Sequence, residues 1–231
     1  MRRGFEHELA EIQDLLTEMA ARAGSAMNTA TQAMLNADLQ AAQAVIAGDD
    51  VLDDLTGRIE RACYDTVARQ QPVARDLRTV VSAMQISSSL ERMGDLADHV
   101  AKLTSMRHPD KCIPEDVRPM FAQMGTVADQ MATRTAALLG TPDLAGASAI
   151  LAMDDQMDQL HRDLFTAVLA PTWTHGVEAA IDTTLMSRYY ERYADHAVAV
   201  VRRVIQLVTG DPFPLTATWP PTAERDRPAG G

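Results

Sequence analysis

The chain reads Glu91-Arg92-Met93-Gly94-Asp95-Leu96-Ala97-Asp98-His99-Val100, and one hundred residues later it reads Glu191-Arg192-Tyr193-Ala194-Asp195-His196-Ala197-Val198-Ala199-Val200. Five of the ten positions are identical, including the glutamate, the arginine and the first aspartate. In and just before each copy, apolar positions alternate at spacings of four and three, which predicts one buried face of a long helix. These positions are Ile86, Leu90, Met93, Ala97 and Val100, then Met186, Tyr190, Tyr193, Ala197 and Val200. The sequence therefore predicts the same core helix twice.

A second block also occurs twice. Residues 38–55 match residues 143–160 at a constant offset of 105, with nine of eighteen positions identical. Acidic residues at a surface tolerate substitution well, so their agreement indicates a duplicated acidic site rather than chance. The matched acidic pairs are Asp38 with Asp143, Asp49 with Asp154, Asp50 with Asp155, and Asp53 with Asp158.

The predicted fold is all-α: two tandem homologous three-helix bundles followed by a short disordered C-terminal tail. Helix-forming residues dominate, and Gly and Pro cluster at a few breaks. The first half is predicted to contain helices at 5–36, 38–47, 49–69 and 73–106, and the second half to repeat this order from about 115 to 208. The predicted units are 5–106, a linker at 107–114, a second repeat at 115–210, and a tail at 211–231 rich in Pro, Gly and charge.

Composition narrows the function classes. The net charge of -11 argues against nucleic acid or an anionic membrane as a direct partner, because both require a basic face. No run of 18 apolar residues and no secretory signal occurs, so we expect a cytoplasmic protein that meets membranes only through its partners. The two cysteines, Cys63 and Cys112, form no CxxC motif, which indicates reduced thiols rather than a disulfide framework or a zinc knuckle.

The acidic residues are predicted to meet across a helical hairpin. Glu91 and Asp95 share one helix face at a spacing of four, as do Glu191 and Asp195. In an antiparallel hairpin, residues equidistant from the turn lie at the same level. Counting from the predicted turns near residues 71 and 173 brings further acidic pairs opposite these, namely Asp50 and Asp53 in the first half and Asp155 and Asp158 in the second.

Four facing carboxylates favour Mg²⁺ or Mn²⁺, and iron tolerates them, whereas zinc more often recruits His or Cys. His99, His161 and His196 lie near the motifs, and His99 is a candidate ligand of the first site. The alternative is a structural one, because Asp50 and Asp155 stand at helix starts, where an acidic group stabilises the N-terminal dipole. Capping does not explain the four acidic residues deep inside helices.

These motifs resemble the PhoU family of phosphate-transport accessory regulators, in the style of its actinobacterial members. The resemblance covers about residues 5–210 and is carried by Gln71-Pro72-Val73-Ala74-Arg75-Asp76-Leu77-Arg78, Leu90–Asp95 and Tyr190–Ala197. It implies a metal site in each repeat at Glu91, Asp95, Glu191 and Asp195, with Asp50, Asp53, Asp155 and Asp158 facing them. Members bind multinuclear iron, magnesium, manganese or no metal. Where the family commonly has Asn, this chain has His99 and Ala199, so we expect the two sites to differ in affinity.

The resemblance also implies a function. PhoU-like proteins are negative regulators of the phosphate-starvation response and restrain uptake by the Pst phosphate transporter. The implied partners are the ATP-binding subunit of that transporter and a phosphate sensor histidine kinase, with a homodimer as a further expectation. Such a protein is an adaptor rather than an enzyme.

Two other function classes are the alternatives. A ferritin-like di-metal oxidase requires Glu-x-x-His on two helices, and the chain contains none; the nearest approximation, Asp158-x-x-His161, is not duplicated. A metal-binding or purely structural helical scaffold of unrelated role is the other. No Walker A loop, nucleophile elbow or Gly-rich dinucleotide turn is present, so no enzyme activity is expected.

Overall fold

The computed structural model describes residues 2–209, which form seven α-helices and, within that range, no strand. The predicted tail at 211–231 lies outside the described residues. In the described part, none of the helices has the length and apolar character needed to cross a membrane. The helices are α1 (Arg2–Asn36), α2 (Leu39–Ala47), α3 (Asp49–Gln70), α4 (Arg75–Arg107), α5 (Arg118–Gly140), α6 (Leu144–Leu169) and α7 (Gly176–Thr209).

The duplicated aspartates Asp38 and Asp143 are helix caps. The side chain of Asp38 accepts a hydrogen bond of 3.0 Å from the backbone N–H of Ala41 at the start of α2. Asp143 accepts two at the start of α6, from the N–H groups of Ala145 and Gly146. Part of the acidic repetition therefore reflects capping of orphan backbone donors.

The second half departs from the prediction in one element. A short helix followed by a medium helix was expected there, as in the first half, but α6 is continuous. Gly48 ends α2, and its N–H donates to the carbonyls of Ala44 and Val45. The matching position is Met153, a good helix former, so nothing interrupts the helix.

The prediction of two three-helix bundles is confirmed. Helices α1, α3 and α4 pack together with α2 as an extra turn, and α5, α6 and α7 form the second bundle. The predicted apolar faces of α4 and α7 lie in this core, where Leu90, Met93, Tyr190 and Tyr193 are fully buried. The tyrosines are core residues, and Tyr190 shares a 2.7 Å hydrogen bond with Thr31 of α1.

The two bundles pack on each other through α1 against α5 and α4 against α7. The crossing of α1 and α5 depends on small residues: a Cβ added at Gly24 would lie 2.7 Å from the Cβ of Ala132, and one at Gly125 would lie 2.4 Å from Cγ2 of Thr31. Gly24 and Gly125 are 101 residues apart, as are Thr31 and Ala132, so the two contacts are related by the duplication. This pseudo-twofold packing sets the motifs of α4 and α7 side by side.

Candidate functional site

Two groups of carboxylates lie where α3 faces α4 and where α6 faces α7. The partial burial of Asp49, Glu91, Asp154 and Glu191 and the charges that act on them define the groups. Cluster 1 consists of Asp49, Asp53, Glu91, Asp95 and Asp98, and cluster 2 consists of Asp154, Asp158, Glu191 and Asp195.

Cluster 1 holds several negative charges in a partly buried space. Burial raises the pKa of Asp49, and the charges of Asp98 and Asp95 raise it further. The pKa of Glu91 is raised in the same way, first by burial and then by Asp95. A salt bridge from Arg92 to Asp95 offsets part of this repulsion.

Cluster 2 is the more strongly perturbed of the two. Burial raises the pKa of Asp154 to about 7, with further contributions from Asp158 and Asp195. Burial and the charge of Asp195 also raise the pKa of Glu191, although Glu191 pairs with Arg188. Like-charged carboxylates held together out of water are a common environment for a bound cation or a catalytic group.

The structure changes which α3 and α6 residues face the motifs. Asp53 and Asp158 lie where the sequence predicted, opposite Glu91 and Glu191. Asp50 and Asp155 are exposed, and Asp49 and Asp154 take the facing positions instead. Counting from a hairpin turn gives the level of a residue but not its rotation, and one residue along a helix turns the side chain by about 100°. The spacing of four residues between Asp49 and Asp53, the same as between Glu91 and Asp95, is a signal in the sequence that would have indicated this face.

The histidines have other contacts. Nδ1 of His99 is bonded to the carbonyl oxygen of Asp95, and its ring lies 5.3 Å from that of Tyr189 on α7. His99 therefore contacts the second repeat through Tyr189, and its role as a ligand of the first site stays a prediction. His161 is hydrogen-bonded to Ser187 at 3.0 Å. His196 is half-buried, and its pKa is lowered first by burial and then by Arg192.

Whether these clusters fit a cation depends on unsatisfied oxygens. Within residues 2–209, the side chains as placed do not gather three or more His, Cys, Asp or Glu into a ready metal-binding group. However, Oδ1 of Asp98 and Oε2 of Glu191 are buried with no hydrogen-bond partner among the described residues. Buried carboxylate oxygens without partners are costly, and a hard cation would satisfy them. The donor chemistry of both clusters therefore fits Mg²⁺, Mn²⁺ or iron.

The clusters are not equivalent. Asp98 in α4 is only 3% exposed, and the corresponding residue in α7, one hundred positions later, is Val198. Lys102 pairs with Asp98, and its positive charge offsets part of the rise in the pKa of Asp49 that burial and the neighbouring carboxylates cause. Arg202 has the matching effect on Asp154. Cluster 1 thus has one more buried carboxylate, which sequence reasoning missed because the position is acidic in one repeat only.

Two stretches of the chain, residues 16–104 and 121–204, match the PhoU domain. The chain belongs to the PhoU domain family. It is 46% identical over 210 residues to a protein of Mycobacterium tuberculosis described as phosphate-specific transport system accessory protein PhoU homolog 2, covering 91% of this chain and 99% of that protein. It is 44% identical over 220 residues to homolog 1 of Mycobacterium leprae, covering 95% of this chain and 99% of that protein.

Solved PhoU structures have the same fold. The phosphate transport regulatory protein PhoU from Streptococcus pneumoniae superposes with a TM-score of 0.82 at 24% identity, over 91% of this chain and all of that chain. PhoU from Pseudomonas aeruginosa gives a TM-score of 0.79 at 25% identity, over 90% of this chain and all of that chain. The sequence resemblance to PhoU is thereby confirmed in both sequence and fold.

Proposed function

We propose that this PhoU-family protein is a cytoplasmic negative regulator of the phosphate-starvation response that also restrains phosphate uptake. The observation that carries this proposal is the match of both repeats to the PhoU domain, together with near full-length similarity to proteins named as phosphate-specific transport accessory proteins. The protein acts as an adaptor, not an enzyme, by binding the ATP-binding subunit of the phosphate transporter and a sensor histidine kinase.

The surface supports an adaptor role because it carries an apolar stripe in each repeat. Leu77 and Val81 are exposed on the first turns of α4, and Val177 and Ile181 occupy the matching positions of α7. Val177 is 77% exposed, and apolar patches exposed in this way commonly mark interaction sites. Two separated apolar stripes allow two contacts at once.

Deletion of the encoding gene and of any paralogue tests the regulatory role. At high phosphate, the deletion strain should express a phosphate-starvation reporter and take up labelled phosphate faster, and the wild-type chain should reverse both changes. Unchanged reporter expression in the deletion strain would contradict the proposal.

Stripe variants test the adaptor role. Leu77→Glu/Val81→Glu and Val177→Glu/Ile181→Glu should each retain the fold, since the changed side chains are exposed, and each should lose co-purification with the transporter subunit or the kinase. If either variant still co-purifies with both the transporter subunit and the kinase, the stripe that it changes is not a docking surface. We also propose that the chain forms a homodimer. Light scattering of the purified chain should then give twice the mass of one chain, and the mass of a single chain would contradict it.

We further propose that clusters 1 and 2 bind a divalent cation or iron. The raised pKa values and the unpartnered oxygens of Asp98 and Glu191 support this. A bound cation would tie α3 to α4 and α6 to α7, so that metal binding stabilises the bundles.

Elemental analysis of untagged protein tests metal binding. We expect Mn, Fe or Mg in the parent chain and its loss in a Glu91→Gln/Asp95→Asn/Glu191→Gln/Asp195→Asn variant. The matched control is Asp50→Asn/Asp155→Asn, which changes exposed neighbours and should keep the metal. Absence of metal from the parent after supply of Mn²⁺ and Fe²⁺ would contradict the metal proposal and leave the regulatory proposal standing.

A further inference from the structure

An apolar cavity of about 330 Å³ lies at the end of the molecule where the first turns of α1 and α4 meet the last turns of α5 and α7. An engineered cavity of about 150 Å³ accommodates a benzene molecule, so this one has room for an aromatic side chain and a neighbouring residue. Its apolar walls include Leu9, Ile12, Ile86, Leu139, Leu207 and Val208.

At the opposite end of the molecule, an ion pair joins α4 to α7. There, Arg107 of α4 makes two hydrogen bonds to the buried carboxylate of Asp182 in α7, at 2.6 and 3.0 Å. The positions that correspond under the duplication are Leu207 and Ser82, which cannot form an ion pair. The end that holds the cavity therefore lacks the ion pair that joins α4 to α7 at the opposite end, and Leu207 adds to the apolar wall there instead.

The chain itself supplies a segment at this place. Helix α7 ends at Thr209, directly after the cavity residue Val208, and the sequence continues for 22 residues. Its first apolar group is Phe213-Pro214-Leu215. An extended chain spans about 3.3–3.6 Å per residue, so the four residues from Thr209 to Phe213 reach roughly 13 Å, enough to turn back into the cavity. Asp211 would then pass Arg75, a basic residue of the cavity wall.

The internal duplication gives independent support. Ile113-Pro114 stands one hundred residues before Phe213-Pro214, at the same offset as the acidic motifs. Ile113 follows the end of α4 and is only 3% exposed, and the adjacent Cys112 is also buried. The chain that leaves α4 thus buries an apolar residue followed by proline, and one hundred residues later the chain that leaves α7 also has an apolar residue followed by proline.

We propose that the cavity is the docking site for this chain's own C-terminal segment, with Phe213 as the side chain that enters it. The segment performs for the second repeat what residues 112–114 perform for the first. Docking would hold residues 211–215 against α1 and α4, although composition alone predicts that the segment is disordered.

Disulfide trapping in the full chain tests the proposal. Phe213→Cys is combined with Thr79→Cys, a half-buried cavity residue, and oxidised mildly. The native thiols of Cys63 and Cys112 are buried and their pKa values are raised, so they interfere little. The control pair is Phe213→Cys with Val81→Cys, because Val81 lines the neighbouring groove, which shares Leu207 with the cavity.

The 213–79 pair should form an intramolecular disulfide at least tenfold faster than the 213–81 pair. Equal rates for the two pairs would mean that the segment has no preferred site and would overturn the proposal. Disulfide-linked dimers from the 213–79 pair would overturn it too, since the occupant would then be a second copy. As a readout without cysteines, Phe213→Ser should lower the melting temperature by several °C, whereas Thr222→Ser should not. Equal melting temperatures for both variants would count against docking.

Discussion

At the residue scale, Asp154 gives the clearest test of the electrostatics. Its pKa of about 7 in the folded chain is far above the value near 3.9 of an unfolded aspartate. The folded state therefore holds the proton more tightly, so the stability that this group contributes is complete below about pH 4 and is lost as the pH rises through about 7. Replacement by Asn removes the penalty of burying the charge.

In metal-free protein, Asp154→Asn should raise the melting temperature at pH 8 and change it little at pH 4. Thermal melts across this range measure the effect. Asp155→Asn is the matched control: its side chain is exposed, and its charge adds less to the raised pKa of Asp154 than burial, Asp158 and Asp195 do, so it should raise the melting temperature at pH 8 much less. A lower melting temperature of Asp154→Asn at pH 8 would mean that the ionised carboxylate is stabilised by its surroundings, contrary to this account.

Asp98 distinguishes the two clusters. It supplies a buried oxygen without a partner among the described residues, and Val198 occupies its place in the second repeat. If cluster 1 binds Mn²⁺, Asp98→Val should weaken binding roughly tenfold, as is typical for loss of a supporting group near a metal. Titration calorimetry in a Glu191→Gln/Asp195→Asn background reports cluster 1 alone. An unchanged affinity for Mn²⁺ would show that Asp98 only forms the salt bridge with Lys102 and does not support the metal site.

At the element scale, the two aspartate caps should matter equally despite the different helices that follow them. Asp38→Ala leaves one donor of the nine-residue α2 unpaired, and Asp143→Ala leaves two donors of the 26-residue α6 exposed to water. Each should cost about 1 kcal/mol, or about 2–4 °C in melting temperature. Asp54→Ala, at an exposed position inside α3, is the control and should have little effect. If neither cap variant loses more stability than this control, water replaces the hydrogen bonds of the caps.

The helix boundaries and helix faces show which features of the fold could be predicted from the sequence. Helix boundaries were predicted to within a few residues because caps, glycines and prolines are local signals. The predicted break in the second repeat was wrong because one glycine, Gly48, is replaced by Met153. The faces of α4 and α7 were correct since periodicity reports rotation directly. Counting only the level along the hairpin selected Asp50, which is exposed in the structure, whereas burial and neighbouring carboxylates act on Asp49. No periodic signal revealed how α1 crosses α5.

At the scale of the whole molecule, the pseudo-twofold contact of α1 with α5 sets how the two bundles meet. A methyl group at Gly125 would lie 2.4 Å from Cγ2 of Thr31, whose hydroxyl is bonded to the buried Tyr190. Gly125→Ala should therefore push the bundles apart and destabilise the protein by about 1–3 kcal/mol, measured by denaturant unfolding. Gly57→Ala is the control: only the flexible end of Arg61 lies near it, so the change should stabilise α3 by about 0.5–1 kcal/mol.

Thr31→Ser tests the cause of that loss. Serine keeps the hydroxyl that meets Tyr190 and removes only the methyl group that Gly125→Ala would strike. The double variant should then recover most of the stability lost by Gly125→Ala, because the two changes act on one contact and are not additive. If the two free-energy changes simply add, the stability lost by Gly125→Ala arises within helix α5 itself and not from the contact between the repeats. Recovery of stability in the double variant would mean that the two repeats are held together where small residues let α1 and α5 approach closely. The two contacts of this kind fix the position of clusters 1 and 2 relative to each other.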